Sequence, residues 1–160
     1  MIRAVVITVS DGCFHGQRQD KSGATLIELL SELGAEIVAR KILSDDFDPL
    51  VQSLREFAER SDVNLIITTG GTGLGPRDNT PEATRSVIER EAPGIAEAIR
   101  AESLKATRMA MLSRGVCGVY SSTLIINFPG SPKAVTESFA VIVPVLSHAI
   151  DLISGKTEHS

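Results

Sequence analysis

Four short apolar stretches along the chain predict β-strands. They are Ala4–Val9, Ile37–Leu43, Val63–Thr69 and Thr123–Phe128. Three of them are nearly continuous in Val, Ile and Leu and do not alternate with polar residues, a pattern typical of strands covered on both faces. The sequence therefore predicts a mostly parallel sheet with helices packed on each side.

Helical spacing of apolar residues appears between the strands. Leucines over Leu26–Leu33 predict one helix, which Gly34 is expected to end. A second helix is predicted over Leu50–Ala58, with Asp48 as its N-terminal cap and Pro49 in the first helical position.

The later part of the chain carries three more helix signals. Thr80-Pro81-Glu82 opens a pattern at Ala83–Glu91, and another helix is expected after Pro93-Gly94. Ser131-Pro132 opens a C-terminal helix to about Ile153, with Gly155 as its stop. A kink or break is expected at Pro144 inside that helix.

One segment is harder to interpret. Met109–Tyr120 fits either an edge strand or a hairpin. Apart from it, strand and helix alternate along the chain. This order predicts an α/β fold, a single doubly wound domain over residues 1–155 with a mostly parallel sheet and helices on both faces. Residues 156–160 are expected to form a flexible tail.

Composition narrows the classes of function. The 160-residue chain has a net charge of −4, so no global basic field is available to hold a nucleic acid. Its longest apolar run, Phe139–Leu146, is far shorter than the roughly 20 residues that span a bilayer. Cys13 and Cys117 form no metal-binding spacing, and no leader pattern follows Met1. A cytoplasmic protein with no membrane or nucleic-acid partner is expected.

The turn after each predicted strand is rich in Gly, Ser, Thr or Asp. These turns are Ser10-Asp11-Gly12, Ser44-Asp45-Asp46, Gly70-Gly71-Thr72-Gly73 and Pro129-Gly130-Ser131. Because parallel strands end at one edge of a sheet, ligands bind in the crevice outside that edge. Four such turns together predict a binding site there.

The glycine-rich turn is the most informative of the four. Gly70-Gly71-Thr72-Gly73 lets backbone N–H groups face an anion, and a helix beginning near Pro81 adds its positive end. Arg77 offers a fork for phosphate, and Asp78 a carboxylate for a metal ion or an ordered water. No Gly-Lys-Ser/Thr follows at Walker spacing. The alternative is a plain glycine-rich turn with a capped helix behind it.

The acidic residues at the strand ends suggest a metal site. If the strand order makes Asp11 and Asp45 neighbours, they and Asp78 would form a carboxylate cluster suited to Mg²⁺. The alternatives are a turn-closing side chain for Asp11 and a solvated loop charge for Asp45. Ser131 is a natural helix cap, and its backbone N–H is free to serve a ligand as well.

Several of these motifs, in this order and spacing, resemble the MogA/MoaB family of molybdenum-cofactor proteins, which also occurs as one domain of gephyrin. The resemblance runs from about Ile2 to Gly155. The motifs that carry it are Val9-Ser10-Asp11, Asp20-Lys21-Ser22-Gly23, Thr69-Gly70-Gly71-Thr72-Gly73, Pro76-Arg77-Asp78, Thr80-Pro81-Glu82-Ala83-Thr84 and Pro129-Gly130-Ser131-Pro132.

The resemblance implies adenylylation of molybdopterin with Mg-ATP as co-substrate, releasing pyrophosphate. It places catalytic, Mg²⁺-holding acids at Asp45 and Asp78 and implies a homotrimer that hands its product to a molybdate-inserting enzyme. Ligand-binding positions are expected at Asp11, Gly70, Gly71, Thr72, Gly73, Arg77 and Ser131. Two alternatives stay open: a non-catalytic molybdopterin-binding scaffold of the same family, and a nucleotide hydrolase resembling the related domain of competence-damage-type proteins.

Overall fold

Six strands form one mixed sheet in the computed structural model, which describes residues 1–156. Across the sheet the order is β2-β1-β3-β6-β5-β4. The first four strands of that order are parallel, β5 runs antiparallel to β6, and β4 runs antiparallel to β5. The strands are β1 (Arg3–Val9), β2 (Glu36–Leu43), β3 (Leu65–Thr69), β4 (Arg90–Glu91), β5 (Cys117–Tyr120) and β6 (Thr123–Phe128).

Helices cover both faces of this sheet, as predicted. α2, α5 and α6 pack on one face, and α3 and α4 pack on the other. The helices are α1 (Asp11–Phe14), α2 (Lys21–Glu32), α3 (Phe47–Ala58), α4 (Thr80–Val87), α5 (Pro93–Ala106) and α6 (Pro132–Ile153), with a 3₁₀ helix over Arg108–Leu112. The doubly wound α/β fold is therefore confirmed.

The sheet separates two apolar cores, and alternate residues of a strand enter opposite ones. In β1, Val6 packs with Leu26 of α2, whereas Val5 packs with Leu54 of α3. All residues of β3 and β6 are buried, but β2 lies at an edge and is mostly half-exposed. Burial on both faces explains the continuous apolar runs, since each fully buried Val, Leu or Ile contributes about 1.5–3 kcal/mol.

Two predicted helix boundaries are wrong. α3 begins at Phe47, so Asp48 lies in the first turn and is not the cap. α4 ends at Val87 and does not reach Glu91, because Ile88 is extended and the next residues pair with β5. In both cases a neighbouring strand or turn decides where the helix stops.

The ambiguous segment, Met109–Tyr120, contains most of the 3₁₀ helix and the whole of β5. After the 3₁₀ helix the chain enters β5, reverses through Ser121 at φ +52°, and returns as β6. The segment by itself is therefore neither an edge strand nor a complete hairpin: it supplies β5, and the partner strand of the hairpin is β6.

The C-terminal helix is continuous through Pro144, so the break expected as one of two outcomes is wrong, and the other, a kink, stays a prediction. Proline removes the hydrogen bond to the carbonyl four residues earlier, that of Ala140. Ala140 is exposed, so water can satisfy this carbonyl. The helix begins after Ser131, whose hydroxyl accepts a hydrogen bond from the N–H of Ala134 at 3.1 Å.

By length and composition, α6 is the one helix among the described residues that could cross a membrane. Its buried face, which includes Val135, Phe139, Ile142 and Leu146, packs into the core beside α2 and α5. Core helices of soluble proteins have the same composition, so the absence of a membrane partner stays a prediction. At the end of α6, the N–H of Lys156 donates to Asp151 at 3.0 Å, and the rest of the predicted tail lies outside the described residues.

Candidate active site

The turns after β1 and β2 are joined by reciprocal hydrogen bonds. The N–H of Asp11 donates to Oδ2 of Asp45 at 2.9 Å, and the N–H of Asp45 donates to Oδ1 of Asp11 at 3.0 Å. The turns after β3 and β6 are also in contact, because the N–H of Gly70 donates to the carbonyl of Phe128 at 3.1 Å. The parallel register of the four strands brings all four turns to one edge, as predicted.

Glycine is required at two positions of the loop after β3. Gly70 has φ +99°, and a Cβ there would lie 2.3 Å from the carbonyl oxygen of Val9. Gly71 has φ +68°, and its Cβ would lie 2.3 Å from Oγ1 of Thr80. That hydroxyl donates to the carbonyl of Gly70 at 2.9 Å, which fixes the loop against the start of α4. A side chain at either position would displace the loop.

A cavity of about 700 Å³ opens at this edge of the sheet. Five of the predicted site residues line it: Asp45, Gly70, Gly71, Asp78 and Ser131. The other four, Asp11, Thr72, Gly73 and Arg77, are absent from its lining. The predicted residues therefore divide into a group that faces the cavity and a group around it.

Arg77 forms ion pairs with two acids of the neighbouring turns. Its guanidinium donates to Asp11 at 2.7 and 3.0 Å and to Asp46 at 3.0 Å. The hydrogen bond from Arg77 lowers the pKa of Asp11 to about 2 and also lowers the pKa of Asp46. In this arrangement Arg77 joins the glycine-rich loop to the ends of β1 and β2.

Asp45 and Asp78 are arranged differently from Asp11. Burial, together with the nearby charges of Asp11 and Asp78, raises the pKa of Asp45 above its usual value. Oδ2 of Asp78 accepts a hydrogen bond from the N–H of Gly75 at 2.9 Å. Within residues 1–156, neither Asp45 nor Asp78 forms an ion pair with a basic side chain.

The predicted cluster of three carboxylates is wrong. Among residues 1–156, no group of three or more acidic, His or Cys side chains is placed to hold a metal ion together. The physical reason is the pairing of Asp11 with Arg77, which holds the Asp11 carboxylate in an ion pair at the rim. Two acids of the predicted three, Asp45 and Asp78, remain in the cavity.

Sequence reasoning missed two cations that line the cavity. Arg18 and Lys21 precede and begin α2, and both contribute to the wall. Asp20 fixes the start of α2, which carries Lys21: this buried N-cap accepts hydrogen bonds through its carboxylate from Thr8 at 2.7 Å, the N–H of Gly23 at 2.9 Å and Arg40 at 2.9 Å. The backbone N–H of Arg18 donates to the carbonyl of Gly12 at 3.1 Å. The Asp20-Lys21-Ser22-Gly23 stretch carried a signal for this helix start, but nothing in the spacing indicated a cation at Arg18.

Thr72 and Gly73 lie on the far side of the loop. Their carbonyls accept hydrogen bonds from the backbone and side chain of Arg114, each at 2.7 Å. Both residues line a second, more apolar cavity of about 260 Å³, together with Met109 and Leu112. They therefore shape the loop from behind instead of facing the larger cavity.

This fold and cavity define an α/β ligand-binding domain whose site lies at the carboxyl ends of the parallel strands. A family model described as a probable molybdopterin binding domain matches residues 5–148. The chain belongs to this family.

Relatives in sequence and structure agree with that assignment. The molybdenum cofactor synthesis protein cinnamon of Drosophila melanogaster is 46% identical over 92% of this chain, which spans only 25% of that longer protein. Molybdopterin adenylyltransferase of Helicobacter pylori is 38% identical, covering 94% of this chain and 86% of its own. The crystal structure of the molybdopterin biosynthesis enzyme MoaB from Thermus thermophilus superposes with a TM-score of 0.91 at 47% identity over 98% of both chains.

Proposed function

We propose that this chain transfers an adenylyl group from ATP to molybdopterin, giving adenylylated molybdopterin and pyrophosphate. The observation that carries the proposal is the sharing of one cavity by Asp45, Asp78, the Gly70-Gly71 turn and Ser131. Support comes from relatives of similar length that are named molybdopterin adenylyltransferase.

The reaction is a displacement at phosphorus. An oxygen of the terminal phosphate of molybdopterin attacks the α-phosphorus of ATP, and the new P–O bond replaces the bond to the β-phosphate oxygen. Pyrophosphate leaves with that electron pair. A phosphate monoester has a second pKa near ~6 and is mostly a dianion at neutral pH, so the nucleophile needs no general base. The protein must instead align and neutralise two polyanions.

Several groups in the cavity suit that task. Arg18 and Lys21 supply positive charge on one wall. The cavity is also lined by the backbone of Gly70 and Gly71, where a ligand can approach without a Cβ in its way. The N-terminus of α6 behind Ser131 adds the positive end of a 22-residue helix. Phosphate groups of both substrates would be bound by these elements.

Asp45 and Asp78 are suited to bind a Mg²⁺ ion whose remaining coordination positions would be filled by oxygens of the substrate phosphates and by waters. Two carboxylates face one cavity, and among the described residues neither is neutralised by a basic side chain. Mg²⁺ is commonly held by one or two carboxylates together with phosphate oxygens and waters, so a third acid is not needed. When bound, Mg²⁺ would neutralise phosphate charge. Asp45 and Asp78 would hold the ion and its waters, with no proton abstraction required of them.

Pyrophosphate release tests the proposal. Wild-type protein is mixed with Mg-ATP, with and without molybdopterin, and pyrophosphate is measured. The proposal predicts release only when molybdopterin is present and little release by Asp78→Asn. Molybdopterin binding without release would instead indicate a non-catalytic binding member of the family. Nucleotide hydrolysis without molybdopterin would indicate a hydrolase.

We further propose a homotrimer in the cytoplasm that hands its product to a molybdate-inserting enzyme. Exposed apolar side chains on α5 and α6, among them Leu104, Val145 and Leu152, support self-association. The fusion of this family to a longer chain in some relatives supports the hand-over. Cys13 and Cys117 are both free, which suits a reducing compartment. Sedimentation equilibrium would test the trimer.

A further inference from the structure

Arg114 lies behind the glycine-rich loop, between the 3₁₀ helix and β5, outside the large cavity. Its guanidinium donates to the carbonyl of Gly73 at 2.7 Å and to the carbonyl of Asp78 at 2.9 Å. It also forms an ion pair with Glu82 on α4. One side chain therefore binds the loop before Asp78, Asp78 itself, and the helix that follows.

The loop needs such support from outside. Residues 74–77 are exposed, and the segment between Gly73 and Asn79 contains no helix or strand. Its internal hydrogen bonds are those of a small turn: the N–H of Asp78 donates to the carbonyl of Gly75 at 3.0 Å, and the N–H of Gly75 donates back to the Asp78 carboxylate at 2.9 Å. This turn carries the Asp78 carboxylate as a unit, so movement of the turn moves the carboxylate.

Two sets of contacts attach the turn to the rest of the protein. On the side of β1 and β2, Arg77 binds Asp11 and Asp46, and Nδ2 of Asn79 donates to the carbonyl of Asp45 at 3.1 Å. On the side of the β5–β6 hairpin, the attachment is Arg114: its backbone N–H donates to Thr72 at 2.7 Å, and its side chain makes the bonds described above. Without the Arg114 side chain, the turn loses its side-chain hydrogen bonds on the hairpin side, where the backbone bond to Thr72 is what remains.

We infer that Arg114 is a positioning residue, which holds the turn over residues 73–78 so that Asp78 stays in the cavity that Asp45 also lines. The catalytic part of this inference rests on the proposed adenylyl transfer. The structural part does not. A guanidinium is suited to this role because its Nε and its two terminal nitrogens point in fixed, different directions toward separate acceptors. A lysine ammonium keeps the charge but cannot reach all three acceptors in this geometry.

The first test measures amide hydrogen exchange of the full chain by mass spectrometry. Arg114→Lys is compared with wild type and with Arg100→Lys. Arg100 is a matched control because it donates to the carbonyls of Gly115 at 2.7 Å and Ser113 at 3.4 Å, on the same segment as Arg114, and forms no hydrogen bond to the glycine-rich loop within residues 1–156. We expect at least about tenfold faster exchange in residues 73–79 of Arg114→Lys, equivalent to about 1.4 kcal/mol of local opening, and no change there in Arg100→Lys. Unchanged exchange in Arg114→Lys would overturn the inference, as would an equal increase in both variants.

The second test measures steady-state kinetics of pyrophosphate release with ATP and molybdopterin. A displaced Asp78 should lower kcat of Arg114→Lys by about 10- to 100-fold, with KM for ATP changed by less than about threefold, because misplacement of about 1 Å can cost that much in rate. Glu82→Gln, which leaves both carbonyl bonds intact, should lose much less. An unchanged kcat, or a loss confined to KM, would overturn the inference. If the wild type releases no pyrophosphate, the proposed function fails, and the exchange experiment alone decides the role of Arg114.

Discussion

Asp11 and Asp45 each accept a hydrogen bond from the backbone N–H of the other, at 3.0 and 2.9 Å. The two acids nevertheless have different environments. Arg77 binds the carboxylate of Asp11, whereas the Asp45 carboxylate lines the cavity without a basic partner among the described residues. We therefore interpret Asp11 as a residue that joins the turns after β1, β2 and β3, and Asp45 as a residue that contacts the ligand.

The first prediction concerns stability in acid. Arg77 lowers the pKa of Asp11 to about 2 from 3.8, so the ion pair stabilises the fold fully above 3.8 and is lost as the pH falls toward 2. Asp11→Asn should be less stable than wild type at neutral pH, and this difference should shrink as the pH falls through that window. Urea unfolding at several pH values measures it. Asp48→Asn, at an exposed acid, is the control; a difference for Asp11→Asn that does not depend on pH would contradict the prediction.

The second prediction concerns the two cavity acids. Asp45→Asn and Asp78→Asn should each reduce pyrophosphate release by at least about 100-fold, because each removes a charge from a site that must hold a cation beside two polyanions. The loss should be largest at limiting Mg²⁺. Asp62→Asn, which removes an exposed acid paired with Arg60 far from the cavity, should retain wild-type activity. Near-wild-type release by either cavity variant at limiting Mg²⁺ would show that these acids do not bind the metal.

The third prediction separates two glycines that share a positive φ. Gly34 has φ +86° and open space around it, so Gly34→Ala should cost only the backbone strain, about 1–2 kcal/mol. Gly70 has φ +99° and a carbonyl oxygen 2.3 Å from the position of a Cβ. Gly70→Ala should therefore cost about 1–3 kcal/mol more than Gly34→Ala. Denaturant unfolding gives both values, and equal losses would mean that the loop moves away from Val9 without cost.

The fourth prediction concerns the cations that line the cavity. Arg18→Gln and Lys21→Gln should each raise KM for ATP several-fold and weaken the dependence of KM on salt concentration. Both side chains line the cavity and are exposed, so salt screens their attraction for phosphate. Lys105→Gln is the control, since Lys105 pairs with Glu102 on the surface of α5. If all three variants share one KM and one salt dependence, neither cation contacts the nucleotide.

Much of the fold follows from local patterns. Both faces of β1, β3 and β6 are buried, so their sequences are continuously apolar and their positions are easily recognised. Helix ends are local as well: Gly34, at φ +86°, follows the end of α2, and Ser131 caps the start of α6. By contrast, the end of α4 depends on pairing between β4 and β5, which is a contact with a distant segment and leaves no periodic signal.

The site was predictable in its location but not in its internal contacts. Four polar turns at the ends of parallel strands had to meet, whatever their detailed geometry. The pairing of their charged side chains could not be predicted from the sequence. Arg77 binds Asp11, 66 positions away, and this ion pair removes Asp11 from the expected metal cluster. Arg18 lines the cavity and Arg114 supports the glycine-rich loop from behind, and both come from segments whose sequences carry no comparable motif.

A nucleotide site at the carboxyl ends of the parallel strands is tested most directly by locating the bound nucleotide by NMR. The ¹⁵N-labelled protein is titrated with Mg²⁺ and a non-hydrolysable ATP analogue, and the backbone amide shifts are followed. We predict that the largest changes fall on Asp45, Gly70, Gly71 and the first turn of α6 near Ala134. Changes concentrated instead on the exposed face of α5 and α6, with these amides unmoved, would contradict a nucleotide site at the carboxyl ends of the strands.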